Sequence, residues 1–251
     1  MEIIRKCCLE GARSAEGTAV VIDVFRAFTC APLFFHFGAG RLILEPDPEK
    51  ARALKHENPG WVLVGEVNEV PLKDADMGNS PTHIIEKGEA FFRGRTVVHR
   101  TTAGVTGVEA ASDTADEVIL GSFVMARAIA QYILRKNPLK LTLVAMGNRA
   151  KRPAPEDEAC ADYLSHLLMG TPFDWVRTLR KVVSQESAQK FLQGKKVYLP
   201  REDPLFCLQR DVFDWVLAAR KTDRFLEAKA VQRADRPESL HNCPAHDKFT
   251  P

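Results

Sequence analysis

Short apolar runs alternate with loops and amphipathic stretches along most of the chain. The runs are 18–24, 41–44, 61–64, 96–99, 117–120 and 139–146, all rich in Val, Ile and Leu. Several are apolar without alternation, the pattern of strands buried on both faces. Helical character falls between them, at 26–37, 48–57, 105–111 and 123–134, and Phe123, Ala126, Ala130 and Leu134 share one face through spacings of three and four. Alternating strands and helices predict a layered α/β/α fold with a mixed, largely parallel sheet. Beyond Met146 the texture changes to a polar loop, 147–155, and then helices at 156–169, 175–183 and 187–193. The segment from Asp211 starts like a strand or helix and is expected to finish helical. The pattern predicts one domain over 1–232, with a helical carboxy-terminal portion, and a polar, poorly ordered tail over 233–251.

Composition narrows the function. The 251 residues carry 35 Lys and Arg against 33 Asp and Glu, a net charge of +2. That balance excludes a bulk electrostatic nucleic-acid binder. No apolar run approaches the ~20 residues that span a bilayer, and residues 1–6 lack a signal-like apolar stretch. Six scattered cysteines do not make a disulfide scaffold. A cytoplasmic protein with no nucleic-acid or membrane partner is expected, with homo-oligomerisation left open.

Chemistry in open α/β sheets collects at the carboxyl ends of strands. Asp23 ends the run Ala19-Val20-Val21-Ile22; it suits a hard cation or caps the helix starting near Arg26. An aspartyl-nucleophile phosphatase would need a second Asp where Phe25 stands. Glu66 follows Val62-Leu63-Val64-Gly65, as a site residue or a solvated loop glutamate. Asp76-Met77-Gly78-Asn79-Ser80-Pro81 enters a helix whose first turn would bind an anion or be capped by Ser80. Thr101-Thr102-Ala103-Gly104 follows another strand, as a phosphate cradle or a structural glycine turn. Glu156, Asp157 and Cys160 share a helix face, although acidic first turns are favoured by the helix dipole alone. Lys151 and Arg152 belong to a solvated loop or meet an anionic substrate. Cys7, Arg13 and Ser14 match the Cys-x5-Arg-Ser spacing of cysteine phosphatases, in poor surroundings. His241, Cys243 and His246 lack a second pair at zinc-ligand spacing.

Taken in order, VVIDVFRAFT (20–29), VGE (64–66), DMGNSP (76–81), TTAG (101–104), LGSF (120–123), EDEACA (156–161) and CLQRDVFD (207–214) make the chain resemble the 2-phosphosulfolactate phosphatase family of coenzyme M biosynthesis. The resemblance implies an α/β fold of its own type and Mg²⁺-dependent release of phosphate from a 2-phospho-3-sulfo acid. It implies catalytic roles for Asp23, Arg26, Asp157 and Cys160, and substrate binding by Asn79, Ser80, Thr101, Thr102 and Gly104. Asp23 and Asp157 would hold the metal, with Glu66 or Glu156. Arg26 and the Thr101-Thr102 loop would hold phosphoryl oxygens. Asp211 and Asp214 are weaker candidates. The chain departs from the family pattern at Val67, where an arginine is common, and in the loop 148–155, where substrate selection is expected. The rival readings are a metal-independent cysteine phosphatase on Cys7 and Arg13, and a phospho-ligand-binding protein without turnover.

Overall fold

The computed structural model describes residues 1–231. The tail expected at 233–251, with His241, Cys243 and His246, lies outside the described residues. The strands are β1 (Glu2–Cys7), β2 (Thr18–Ile22), β3 (Arg41–Leu44), β4 (Val62–Val67), β5 (Val70–Pro71), β6 (Thr96–Arg100), β7 (Glu117–Gly121), β8 (Lys140–Ala145), β9 (Val216–Lys221) and β10 (Leu226–Val231). The α-helices are α1 (Cys8–Arg13), α2 (Ala27–His36), α3 (Pro48–Glu57), α4 (Pro81–Phe92), α5 (Gly104–Ala111), α6 (Ala126–Lys136), α7 (Pro155–Met169), α8 (Trp175–Val183), α9 (Glu186–Leu192) and α10 (Asp203–Cys207). The fold is α/β, as the apolar pattern predicts. Among the described residues no helix is long and apolar enough to cross a membrane.

One sheet runs in the order β1-β8-β2-β7-β9-β10-β3-β6-β4-β5. β1, β8, β2 and β7 form one parallel block, and β3, β6 and β4 form another. The β9–β10 hairpin lies between them, antiparallel to both neighbours. Three successive antiparallel pairings reverse the second block relative to the first. In a flat sheet the carboxyl ends of β2 and β4 would therefore sit on opposite edges. Strands rotate by about 20–25° per neighbour, so the five steps from β2 to β6 accumulate roughly 100–125°. The blocks also exchange their covering helices: α5 follows β6 yet packs on β2, β7 and α1, whereas α2 follows β2 yet packs on β3 and α4. Residues at the carboxyl ends of β2, β4, β6 and β8 consequently line one cavity.

The hairpin corrects the expectation that residues after Asp211 finish helical. VLAARK and LEAKAV are rich in helix formers, but the slot between the blocks offers ladder partners on both sides. The turn closes through Thr222, whose N–H donates to Phe225 O (2.8 Å) and whose hydroxyl accepts from Phe225 N (3.0 Å). Helices α7, α8 and α9 fall where the pattern puts them, and α10 is a helix that the pattern does not predict.

Burial explains the central elements. All five residues of β2 are buried, and α2 buries eight of its ten. Pro32 inside α2 has no N–H for the Phe28 carbonyl four residues back. Ser122, fully buried after β7, donates its hydroxyl to that carbonyl instead (2.7 Å). Ser122→Ala strands a buried acceptor and should lower unfolding free energy by about 1–3 kcal/mol. Ser184→Ala, at an exposed site, should stay within about 0.5 kcal/mol. Urea unfolding of the two variants checks the contrast, and equal effects would refute the proline-compensation account.

Candidate active site

A narrow cavity of about 60 Å³ opens where the two blocks meet. It is lined by Asp23, Arg26, Glu66, Asn79, Thr101, Thr102, Glu156 and Asp157, all singled out from the sequence. The four acids are each at least nine-tenths buried.

Each carboxylate is held by N–H or O–H donors. Asp23, just past β2, accepts from Ala27 N (3.2 Å) and from the Gly104 backbone. The same Asp23 carboxylate thus caps the start of α2 and lines the cavity. A Cβ on Gly104 would lie 2.8 Å from Asp23 Oδ2 and 2.9 Å from Ala27 Cβ, so only glycine lets the start of α5 approach. Asp157, in the first turn of α7, accepts from Val24 N (2.8 Å) through Oδ1 and from Gly147 N (2.7 Å) through Oδ2. It ties the turn after β2 to the loop after β8. Glu66 accepts from Thr102 N (2.6 Å) and Thr102 Oγ1 (3.0 Å), and Glu156 accepts from Ser187 Oγ (2.7 Å).

The donors do not offset the burial. Desolvation, reinforced by Glu66 and Glu156, pushes Asp23 up to about 7. Burial, then the charges of Asp23 and Glu156, pushes Asp157 well above the carboxylate range. Burial also raises Glu156. The cluster therefore holds protons more tightly than ordinary carboxylates do.

The Thr101–Gly104 loop does not present an open cradle. Thr102 N is committed to Glu66, Gly104 N to Asp23, and Val105 N to Thr101 Oγ1 (3.0 Å). The anion at the start of α5 is the Asp23 carboxylate. Ser80, fully buried, donates to Asp203 Oδ1 (2.7 Å) and lies behind the cavity wall.

Three cations reach the cavity. Arg26 pairs through Nη1 with fully buried Asp203 (2.7 Å) and with Tyr198 O (3.0 Å), and its guanidinium sits 5.2 Å from the Phe191 ring centre. Lys190, on α9, pairs with Glu69 (2.5 Å). Arg149, in the loop after β8, has a left-handed backbone (φ 55°). Lys151 and Arg152, from the same loop, are exposed and do not line the cavity.

Sequence reasoning missed Asp203, Lys190, Ser187, Phe191 and His99. Asp203 sits in Arg201-Glu202-Asp203-Pro204, which reads as an ordinary polar helix start. The α9 residues lie in a stretch whose helical pattern was legible but whose position over the cavity was not. His99 is an apolar-strand position whose Nε2 lies 2.9 Å from Asn79 Oδ1.

Other candidates lie elsewhere. Cys160 is fully buried in the core, where desolvation raises its thiol well above the usual range, and it does not line the cavity. Asp211 accepts from Arg127 N (2.9 Å) and Tyr163 Oη (2.7 Å), and neither it nor Asp214 lines the cavity. Cys7 is exposed at the end of β1. Residues 8–13 are helix α1, which carries Arg13 roughly 9 Å along the axis, where it bonds Glu10 (2.6 Å). No phosphate-binding loop joins Cys7 to Arg13. Among the described residues no group of three or more His, Cys, Asp or Glu side chains is set where it could hold a metal ion.

The family model for 2-phosphosulpholactate phosphatase matches residues 8–222. A Bacillus subtilis protein named "Probable 2-phosphosulfolactate phosphatase" is 28% identical over 206 residues, 80% of this chain and 86% of its own. A Thermoplasma acidophilum protein of the same name is 29% identical over 216 residues, covering 86% and 89% of the two chains. One from Thermus thermophilus is 31% identical over 189 residues, covering 75% and 73%. The chain belongs to the 2-phosphosulfolactate phosphatase family.

The raised Asp23 predicts a pH dependence of stability. Its folded value, about 7, exceeds the ordinary 3.8, so the folded state binds more protons between those values and stability falls as pH rises through them. In chelator, Asp23 should contribute a decrease in melting temperature from pH 5 to pH 7. Divalent cation should restore more of it at pH 7 than at pH 5. Differential scanning calorimetry tests this, and a cation-induced rise that is equal at both pH values would contradict it.

Proposed function

Given membership of this phosphatase family, we propose that the chain is a Mg²⁺-dependent phosphomonoesterase that hydrolyses 2-phosphosulfolactate, or a similarly small anionic 2-phospho acid, to sulfolactate (or the corresponding acid) and phosphate. One observation carries the reading: four buried carboxylates meet in a cavity that three cations also reach. Mg²⁺ is commonly held by one or two carboxylates, with water and phosphate oxygens completing its shell, so the lack of a three-residue ligand group among the described residues leaves room for it. Asp23 would hold it, with Asp157, Glu156 or Glu66 beside it; when bound, the ion supplies neutralisation of phosphate charge.

The protein's own groups do the rest. Arg26, fixed by Asp203 and Tyr198, presents its remaining N–H groups to phosphoryl oxygens. Lys190 and Arg149 attract the second anionic group of the substrate. A carboxylate of the cluster, whose proton affinity burial has raised, takes the proton of the attacking water. Asp157 spans two backbone donors and keeps the turns around the site in register. Cys160 packs.

Ser187, Lys190 and Phe191, all from α9, form one wall of the cavity, held by the Glu156 and Glu69 contacts.

Phosphate release from 2-phosphosulfolactate should need Mg²⁺, stop in EDTA, and fall by at least about 100-fold in Asp23→Asn. Cys7→Ser should retain activity within about twofold of wild type, a margin near 0.4 kcal/mol. Turnover that survives EDTA and vanishes in Cys7→Ser would replace this reading with thiolate chemistry. Phosphate-analogue binding without turnover would replace it with a binding role. Separately, Arg149→Ala should raise KM about tenfold with kcat little changed, as loss of a charge-assisted bond to a non-reacting group does. Equal losses in kcat and kcat/KM would instead place Arg149 on the reacting phosphoryl group.

A further inference from the structure

His99 does not line the cavity itself. It lies on β6, is fully buried, and meets the Phe34 ring edge-on at 5.2 Å. Its Nε2 is 2.9 Å from Asn79 Oδ1, and its Nδ1 has no partner. Burial drives its pKa down to about 3, so the ring is neutral and carries a single N–H.

Two arrangements satisfy that single proton. With hydrogen on Nε2, His99 donates to Asn79 Oδ1 and leaves a bare Nδ1 acceptor. The Asn79 NH₂ is then free, and Asn79 lines the cavity. With hydrogen on Nδ1, a buried N–H has no acceptor, and the amide must rotate to donate to Nε2. It would then turn its oxygen toward a cavity already lined by four carboxylates. Orphaned buried N–H groups are rarer than unfilled acceptors, and an anionic ligand favours a donor. Both arguments select the first arrangement. Among the described residues no protein atom accepts from Asn79 Nδ2, which suits a group reserved for a ligand.

We infer that His99 is a positioning residue: by donating its one N–H to Asn79 Oδ1, it holds the Asn79 amide with its NH₂ facing the cavity, as a fixed donor to an oxygen of the phosphorylated substrate. An amide without this partner presents oxygen and nitrogen with little preference, and half of its orientations repel the anion. The inference rests on the phosphatase reading for the identity of the ligand, but the tautomer does not.

The test has two arms on the full chain. Long-range ¹H–¹⁵N correlation spectra should show His99 neutral at pH 7 with Nε2 protonated; a protonated Nδ1 or an imidazolium overturns the inference. In phosphate-release kinetics, His99→Leu should raise KM about tenfold, and His99→Gln, whose amide can donate to Oδ1, should recover most of the loss. In an Asn79→Ala background, His99→Leu should add nothing. Additive losses, or no rescue by Gln, would make His99 merely structural and overturn the role. Unchanged kcat/KM in Asn79→Ala would remove the substrate contact and overturn the role as well, while the tautomer measurement stands. Absence of wild-type turnover would instead fail the phosphatase reading.

Discussion

Four carboxylates buried around one small cavity repel one another and resist desolvation. The surrounding structure supplies donors for each. The first turn of α5 closes on Asp23, the turns after β2 and β8 close on Asp157, and Thr102 closes on Glu66. Gly104 is glycine because the carboxylate and the helix start must touch. These donors hold the acids in place without lowering Asp23 to an ordinary value. The remaining imbalance raises the proton affinity of Asp23, Asp157 and Glu156, which is the basis for proposing a cation there. Arg26 does not cancel it, since its nearest charge is Asp203. A buried ion pair of this kind fixes geometry more than it adds stability.

The sheet explains how residues from two opposed blocks come together. The central hairpin makes the second parallel block run against the first, and strand twist with exchanged helices turns both sets of carboxyl ends to the same place. Two separately ordinary parallel blocks thereby supply opposite walls of one cavity. β2 and β8 bring Asp23 and the loop to Asp157, and β4 and β6 bring Glu66 and Thr101-Thr102.

Local signals made much of this legible. Arg41–Leu44, Pro48–Glu57 and Trp175–Val183 coincide with predicted bounds because apolar runs, a Pro at a helix start and a clean helical face leave little choice. Asp23 and Glu66 stood out as charges at the ends of buried runs, and both line the cavity. Long-range features were not legible. The reversed direction of the second block depends on β9 and β10, whose Ala, Lys, Arg and Glu content favours helix until ladder partners override it. Asp203, Lys190 and His99 matter through partners 177, 121 and 20 residues away in sequence, and no local spacing marks them. Thr101 and Thr102 line the cavity, but the amides of their loop serve the protein's own carboxylates.

The central claim is that the buried acids form a divalent-cation site centred on Asp23. Electron paramagnetic resonance of Mn²⁺ titrated into metal-free protein at pH 7.5, with Mg²⁺ as competitor, tests it most directly. The account predicts saturable loss of the free-Mn²⁺ signal, reversal by Mg²⁺, and loss of binding in Asp23→Ala. A free-ion signal undiminished by folded wild-type protein, or binding unaffected by Asp23→Ala, would contradict it.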